Sequence, residues 1–123
     1  MINVVFYTKK DYIIGYKIEG HSDYYKRLSV KIRRFFKGNN EKDVICASVS
    51  SAAYMAAVGL KEVLKRTIFY RENSFGFMEL YLKDESDKES EIIFRSLKTI
   101  LEKIEKEYKG NIIIRTEEKK DGS

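Results

Sequence analysis

The chain contains no proline, no tryptophan, a single cysteine and a single histidine in 123 residues, and each scarcity narrows what it is. A lone thiol cannot form an intramolecular disulfide, so no covalent staple is available and a secreted, oxidising setting is disfavoured. The opening Met1-Ile2-Asn3-Val4 has no basic segment followed by a small-residue cleavage site. No uninterrupted apolar stretch approaches the roughly 20 residues needed to cross a bilayer. The cytoplasm is therefore the expected compartment, with no membrane partner, no cofactor and no metal. Repeats, proline-rich linkers and a second domain are also missing. At this length one core is feasible, because folding buries roughly two thirds of the surface the unfolded chain exposes.

What is present begins with charge. The 24 Lys and Arg against 19 Asp and Glu leave a net +5, a moderate excess that permits contact with nucleic acid without requiring it. Much of it is local: Lys26, Arg27, Lys31, Arg33, Arg34 and Lys37 fall between the histidine and the cysteine. Such a stretch is either a solvated loop or a surface that meets RNA.

Residues 2–7 and 12–19 are rich in β-branched and aromatic side chains and read as a hairpin turning at Lys9-Lys10-Asp11. Gly20 ends the second strand and hands over to His21. From Val44 to about Lys65 small and apolar residues lie on nearly every side, which suits a helix buried on most of its circumference, with Asp43 as its N-cap. Strands are expected at 67–72 and 75–82, joined by a tight turn at Asn73-Ser74. In the second, Met78, Leu80 and Leu82 share one face and Phe77 and Tyr81 the other, so both faces are expected to be covered, one of them by a second subunit. Ser86 and Glu89 carry a capping-box spacing ahead of a helix with Ile93, Leu97, Ile100, Leu101, Ile104 and Tyr108 on its apolar side. Gly110 ends it and 111–116 form a last strand. The expectation is one α+β domain over 1–116, in the order β-β-α-β-β-α-β, a mostly antiparallel sheet against two helices, with 117–123 a disordered tail.

If Asp43 caps the helix, Cys46 stands in the first turn beside amides without intrahelical partners. There the helix dipole favours a thiolate, and the free amides are suited to hold an oxyanion. The opposing reading is a buried cysteine acting as a small hydrophobe. His21 is equally open between a base and a histidine without chemistry. Both stand at element ends, where nucleophilic catalysis needs only that they meet.

Gly20-His21 after a strand, followed by Asp43-Val44-Ile45-Cys46-Ala47-Ser48-Val49-Ser50 opening an apolar helix, resembles the paired signatures of the ribosomal-processing cysteine proteases, Prp. Their usual form is Gly-His and then Asp-Ile-Val-Cys-Ala-Ala-Val-Ser. The resemblance spans essentially the whole chain. It implies a thiol endopeptidase, dimeric, that removes a short N-terminal extension from the large-subunit ribosomal protein whose N-terminal arm reaches the peptidyl-transferase centre. It assigns Cys46 as nucleophile and His21 as base, with Gly20, Asp43 and Ser50 in support. Ser50 lies one turn beyond Cys46 and either bonds within the site or returns its hydroxyl to the Cys46 carbonyl.

Two departures stand out. The stretch between His21 and Cys46 is longer than the family's, and Glu41 stands where a glycine usually precedes the aspartate. Tyr24, Tyr25, Phe35 and Phe36 in that stretch are expected to receive the hydrophobic, aromatic side of the substrate, and its cations to contact ribosomal RNA or keep the loop soluble. A non-catalytic ribosome- or RNA-binding module is the rival from another class.

Overall fold

The computed structural model describes residues 1–20, 41–73 and 76–119, and of 41–43 the backbone alone. The elements are β1 (Ile2–Lys9), β2 (Tyr12–Glu19), α1 (Glu41–Val58) continued by a π-helical turn (Gly59–Val63), β3 (Ile68–Glu72), β4 (Met78–Leu82), α2 (Lys88–Glu107) and β5 (Ile112–Glu118). The expected order and the α+β class hold. The strands lie as β3-β4-β2-β1-β5, antiparallel except for β1 beside β5, so the sheet is mixed.

The β1–β2 turn places Lys10 and Asp11 at φ 51 and 70, the left-handed pair that a two-residue hairpin needs to match strand twist. A bulge follows, since Thr8 pairs with Ile13 while Tyr7 pairs with Gly15. The extra residue turns Ile13 onto the face that also carries Val4, Phe6, Tyr16 and Ile18. That face, with Met78, Leu80, Leu82 and Ile112, forms the core against both helices. Helix α1 contributes Ile45, Val49, Ala53 and Ala56, its π-helical turn Leu60, and α2 Phe94, Leu97 and Leu101. Each large apolar side chain so buried stabilises by about 1.5–3 kcal/mol.

Several expectations shift. Helix α1 begins at Glu41, so Asp43 is within the helix and not its cap; Glu41 and Lys42 are good helix formers and let it start earlier. Its outer face is open, with Ser48, Ser51, Met55 and Val58 exposed, because a single sheet and one neighbouring helix cover only part of its circumference. Val44–Val63 is also, by length and composition, apolar enough to cross a bilayer, contrary to the reading above. Its stripe of buried residues identifies it as the core helix of this domain.

The box that opens α2 is Asp87 with Ser90, one residue beyond the expected pair. Ser86 and Asp87 are both cap residues by type, and only the second is placed to accept the Ser90 amide, at 2.8 Å. Phe94, absent from the expected apolar side, is its most buried aromatic, whereas Ile100 is exposed. Ser74, expected in the tight turn with Asn73, lies outside the described residues; the Asn73 amide donates to the Phe77 carbonyl at 3.1 Å, and β4 starts at Met78 rather than 75. Strand β5 continues through Glu117 and Glu118, residues expected in the tail.

Two predictions arise from this frame. A methyl group on Gly15 would sit 2.4 Å from the Leu80 carbonyl oxygen and 2.8 Å from a Tyr81 ring carbon. Because the nearest obstacle is backbone, Gly15→Ala is expected to push β2 and β4 apart and lower stability by about 1–3 kcal/mol, readable as a drop in denaturant midpoint. The Asp87 carboxylate is held below its usual range, first by the Ser90 amide and then by Arg66, whose Nη2 lies 2.6 Å away. A depressed folded-state pKa contributes stability above the unfolded value and loses it as pH falls through the folded one. Asp87→Ala should therefore lower the melting temperature at neutral pH, with the gap to the parent closing as melts are taken below about pH 4.

Candidate active site

Cys46 is the sixth residue of α1 counted from Glu41. Its amide is past the first turn, so the free donors of the helix start belong to residues 41–44 and the first-turn placement expected for the thiol is not what forms. At 100° per residue the buried stripe of α1 centres between Val49 and Ala53, and Cys46, Ser50, Tyr54 and Ala57 follow one another along one flank of it. On the opposite flank Gly59 abuts Ile93 of α2, 3.1 Å from where its Cβ would be. The cysteine's flank therefore faces away from α2 and toward β3. The Tyr54 hydroxyl, donating to Glu72 at the end of β3, marks the same direction.

The sheet directions fix which end of the molecule this is. Tyr16 of β2 donates its hydroxyl to the Ala53 carbonyl at 2.8 Å, beneath the middle of α1. The π-helical turn ends near β3's start, with the Arg66 amide on the Leu60 carbonyl at 2.8 Å, so the row Ile68–Leu82 lies under the helix C-terminus. The row Glu72–Met78–Ile18 lies toward its N-terminus. Strand β2 runs the same way, carrying Glu19 and Gly20 to the end of the sheet where the N-terminal half of α1, and with it Cys46, is found. His21 is the next residue.

His21, Tyr24, Tyr25, Phe35 and Phe36 lie outside the described residues, as does the side chain of Asp43. Of the expected site residues, Cys46, Ser50 and Gly20 are described. Cys46 and Ser50 are each 4% exposed, which is low for groups that must meet a substrate. Among the described residues no group of three His, Cys, Asp or Glu gathers as a metal site would.

Sequence reasoning missed the tyrosines beyond Ser50. Tyr16, Tyr54 and Tyr70 converge beside Glu72. Burial is the main cause that holds each phenol protonated, and the Tyr54 hydroxyl, hydrogen-bonded to Glu72, is pushed up to about 12. Tyr54 falls eight residues after Cys46, two steps of four along one helical face, which was the signal available. On the far face of the sheet Tyr7 and Tyr81 stack at 5.2 Å and Phe69 packs on Tyr81 at 6.1 Å. Glu79, 7% exposed, there accepts from Arg71 Nε and the Tyr81 hydroxyl, both at 2.8 Å.

The architecture has close counterparts among solved structures. SMU.848 from Streptococcus mutans superposes with a TM-score of 0.75 at 15% identity, over 97% of this chain and 99% of that one. The ribosomal processing protease Prp from S. aureus, in complex with a substrate peptide, gives 0.76 at 18% identity, over 95% of this chain and 100% of that one. The same protease with a covalently linked product peptide gives 0.74 at 18% identity. No curated protein matches in sequence. The family model described as cysteine protease Prp matches residues 1–113. With a single cysteine in the chain, placed on the flank of α1 that faces the open edge of the sheet, and with that match over nearly its whole length, the protein belongs to the Prp family of cysteine proteases.

Proposed function

We propose that this cysteine protease is a ribosomal-protein processing enzyme, which removes a short N-terminal extension from the large-subunit protein whose N-terminal arm reaches the peptidyl-transferase centre. What supports the reading is the strand direction that carries Gly20, the residue before His21, toward the end of the sheet where the N-terminal half of α1 bears Cys46. In the proposed reaction His21 takes the Cys46 thiol proton and the thiolate attacks the scissile carbonyl. The protonated His21 then gives that proton to the leaving amine as the peptide bond breaks. Water activated by His21 hydrolyses the thioester and restores the thiol. Ser50, one turn beyond Cys46 on the same flank, and Asp43 support the pair.

Two features extend the reading. The aromatic and charged far face of the sheet, with Tyr7, Phe69, Phe77, Arg71 and Tyr81, fits a contact with a second copy of the chain. The basic stretch 26–37 suits ribosomal RNA at a cytoplasmic site of ribosome assembly. The decisive experiment incubates the enzyme with the precursor of that ribosomal protein and weighs the product. A single shortened species is the expected result, and an intact precursor after incubation with folded enzyme would overturn the substrate assignment.

A further inference from the structure

Among the described residues strand β3 is an edge of the sheet, and its outward peptide groups have no strand beside them. The Lys83 amide donates to the Thr67 carbonyl and the Asn73 amide to the Phe77 carbonyl. Between these, Phe69 and Arg71 lie opposite Tyr81 and Glu79. In an antiparallel pair alternate residues turn N–H and C=O toward the neighbour, so Ile68, Tyr70 and Glu72 turn theirs outward, away from β4. Above this edge, between it and α1, lies a groove of about 500 Å³ lined by Tyr54, Ala57, Val58, Ile68 and Tyr70, with Lys61 at its rim. The Tyr70 hydroxyl is buried there beside that of Tyr54, and among the described residues no group meets it in hydrogen-bonding geometry.

The groove continues the flank that carries Cys46. Tyr54 is eight residues along α1, about 12 Å at the helical rise, and Val58 about 18 Å. An extended peptide advancing about 3.3 Å per residue covers that span in about five residues. We propose that the β3 edge and this groove form a remote subsite, in which the substrate polypeptide adds as a strand to β3 and lays an apolar side chain between Tyr54 and Tyr70. Peptide groups of Tyr70 and Glu72 pair with the substrate backbone, and the Tyr70 hydroxyl gains a hydrogen bond that the described residues do not give it. This rests on the processing reading above, because only a polypeptide substrate extends far enough from Cys46 to reach it.

The test compares two peptides spanning the cleavage site, one reaching about ten residues to each side and one trimmed to about three, the latter too short for a groove five residues away. Val58 is half-exposed, so Val58→Trp fills the groove while leaving the core alone. It is expected to raise KM for the long peptide about tenfold or more and to change the short one less than twofold. Glu72→Pro removes one outward N–H while sparing the β3–β4 ladder, and should weaken binding of the long peptide to a Cys46→Ala background more than Glu72→Ala does. Fluorescence anisotropy reads that difference without turnover. Equal effects on both peptides, or none on either, would overturn the subsite while leaving the protease reading intact. If the parent enzyme cleaves neither peptide, the processing reading fails and the subsite with it.

Discussion

Replacing Cys46 with alanine is expected to abolish precursor cleavage, lowering kcat by about a thousandfold or more, while the far-ultraviolet circular dichroism and melting temperature stay near those of the parent. The side chain is small, 4% exposed and part of the core cluster, so its loss opens little space and the fold should tolerate it. His21→Ala should cost on the order of 10²–10⁴ in rate. Because a nucleophile and its base act as a unit, the double variant should be little worse than Cys46→Ala alone. Additive losses in the double variant would count against the pairing. Alkylation offers an independent reading: a thiol activated by a base reacts in the folded protein, whereas an inert core cysteine reacts only after unfolding.

The largest expected effect on stability belongs to Phe94→Ala. Phe94 is fully buried and meets Tyr16 edge to face, ring centres 6.4 Å apart, and Tyr16 meets Phe6 in the same manner at 6.5 Å. This column ties α2 to the two central strands, and the hydroxyl of its middle member also holds α1 through Ala53. Truncation to alanine is expected to remove about 3–5 kcal/mol, a large share of the 5–15 kcal/mol typical of a domain. Urea unfolding should show a lower midpoint with an unchanged slope. A loss below about 1 kcal/mol would mean that the column collapses to fill the space.

How far the sequence could be read follows from which signals are local. The hairpin, the amphipathic side of α2 and the Gly20-His21 and Asp43-to-Ser50 motifs are patterns within a few residues, and they led to the fold order and the family. Start points were less legible, because Asn40, Glu41 and Asp43 all suit the start of a helix, as Ser86 and Asp87 both do, and tertiary packing chooses among them. Glu91 was invisible for a different reason. Its carboxylate is 9% exposed and accepts the Ile13 amide and Arg95 Nε, each at 2.9 Å, pairing partners that only the folded chain brings together. The groove beside Tyr70 was hidden likewise, since it exists only once β3 becomes an edge.

The pairing of β1 with β5 sets a clock on when the enzyme exists. The first strand and the last run side by side from Ile2↔Ile112 to Thr8↔Glu118, sealed by the Ile2 amide on Asn111 and the Lys119 amide on Thr8. During synthesis Cys46 and the whole of β1 to β4 leave the ribosome well before β5 does, yet β1 keeps one side of its backbone unpaired until that last strand arrives. Contacts between such distant segments form late and slowly. A chain that has not yet released β5 therefore carries its thiol on an incomplete scaffold, and the sheet that supports the site is completed only when Ile112–Glu118 pairs with β1.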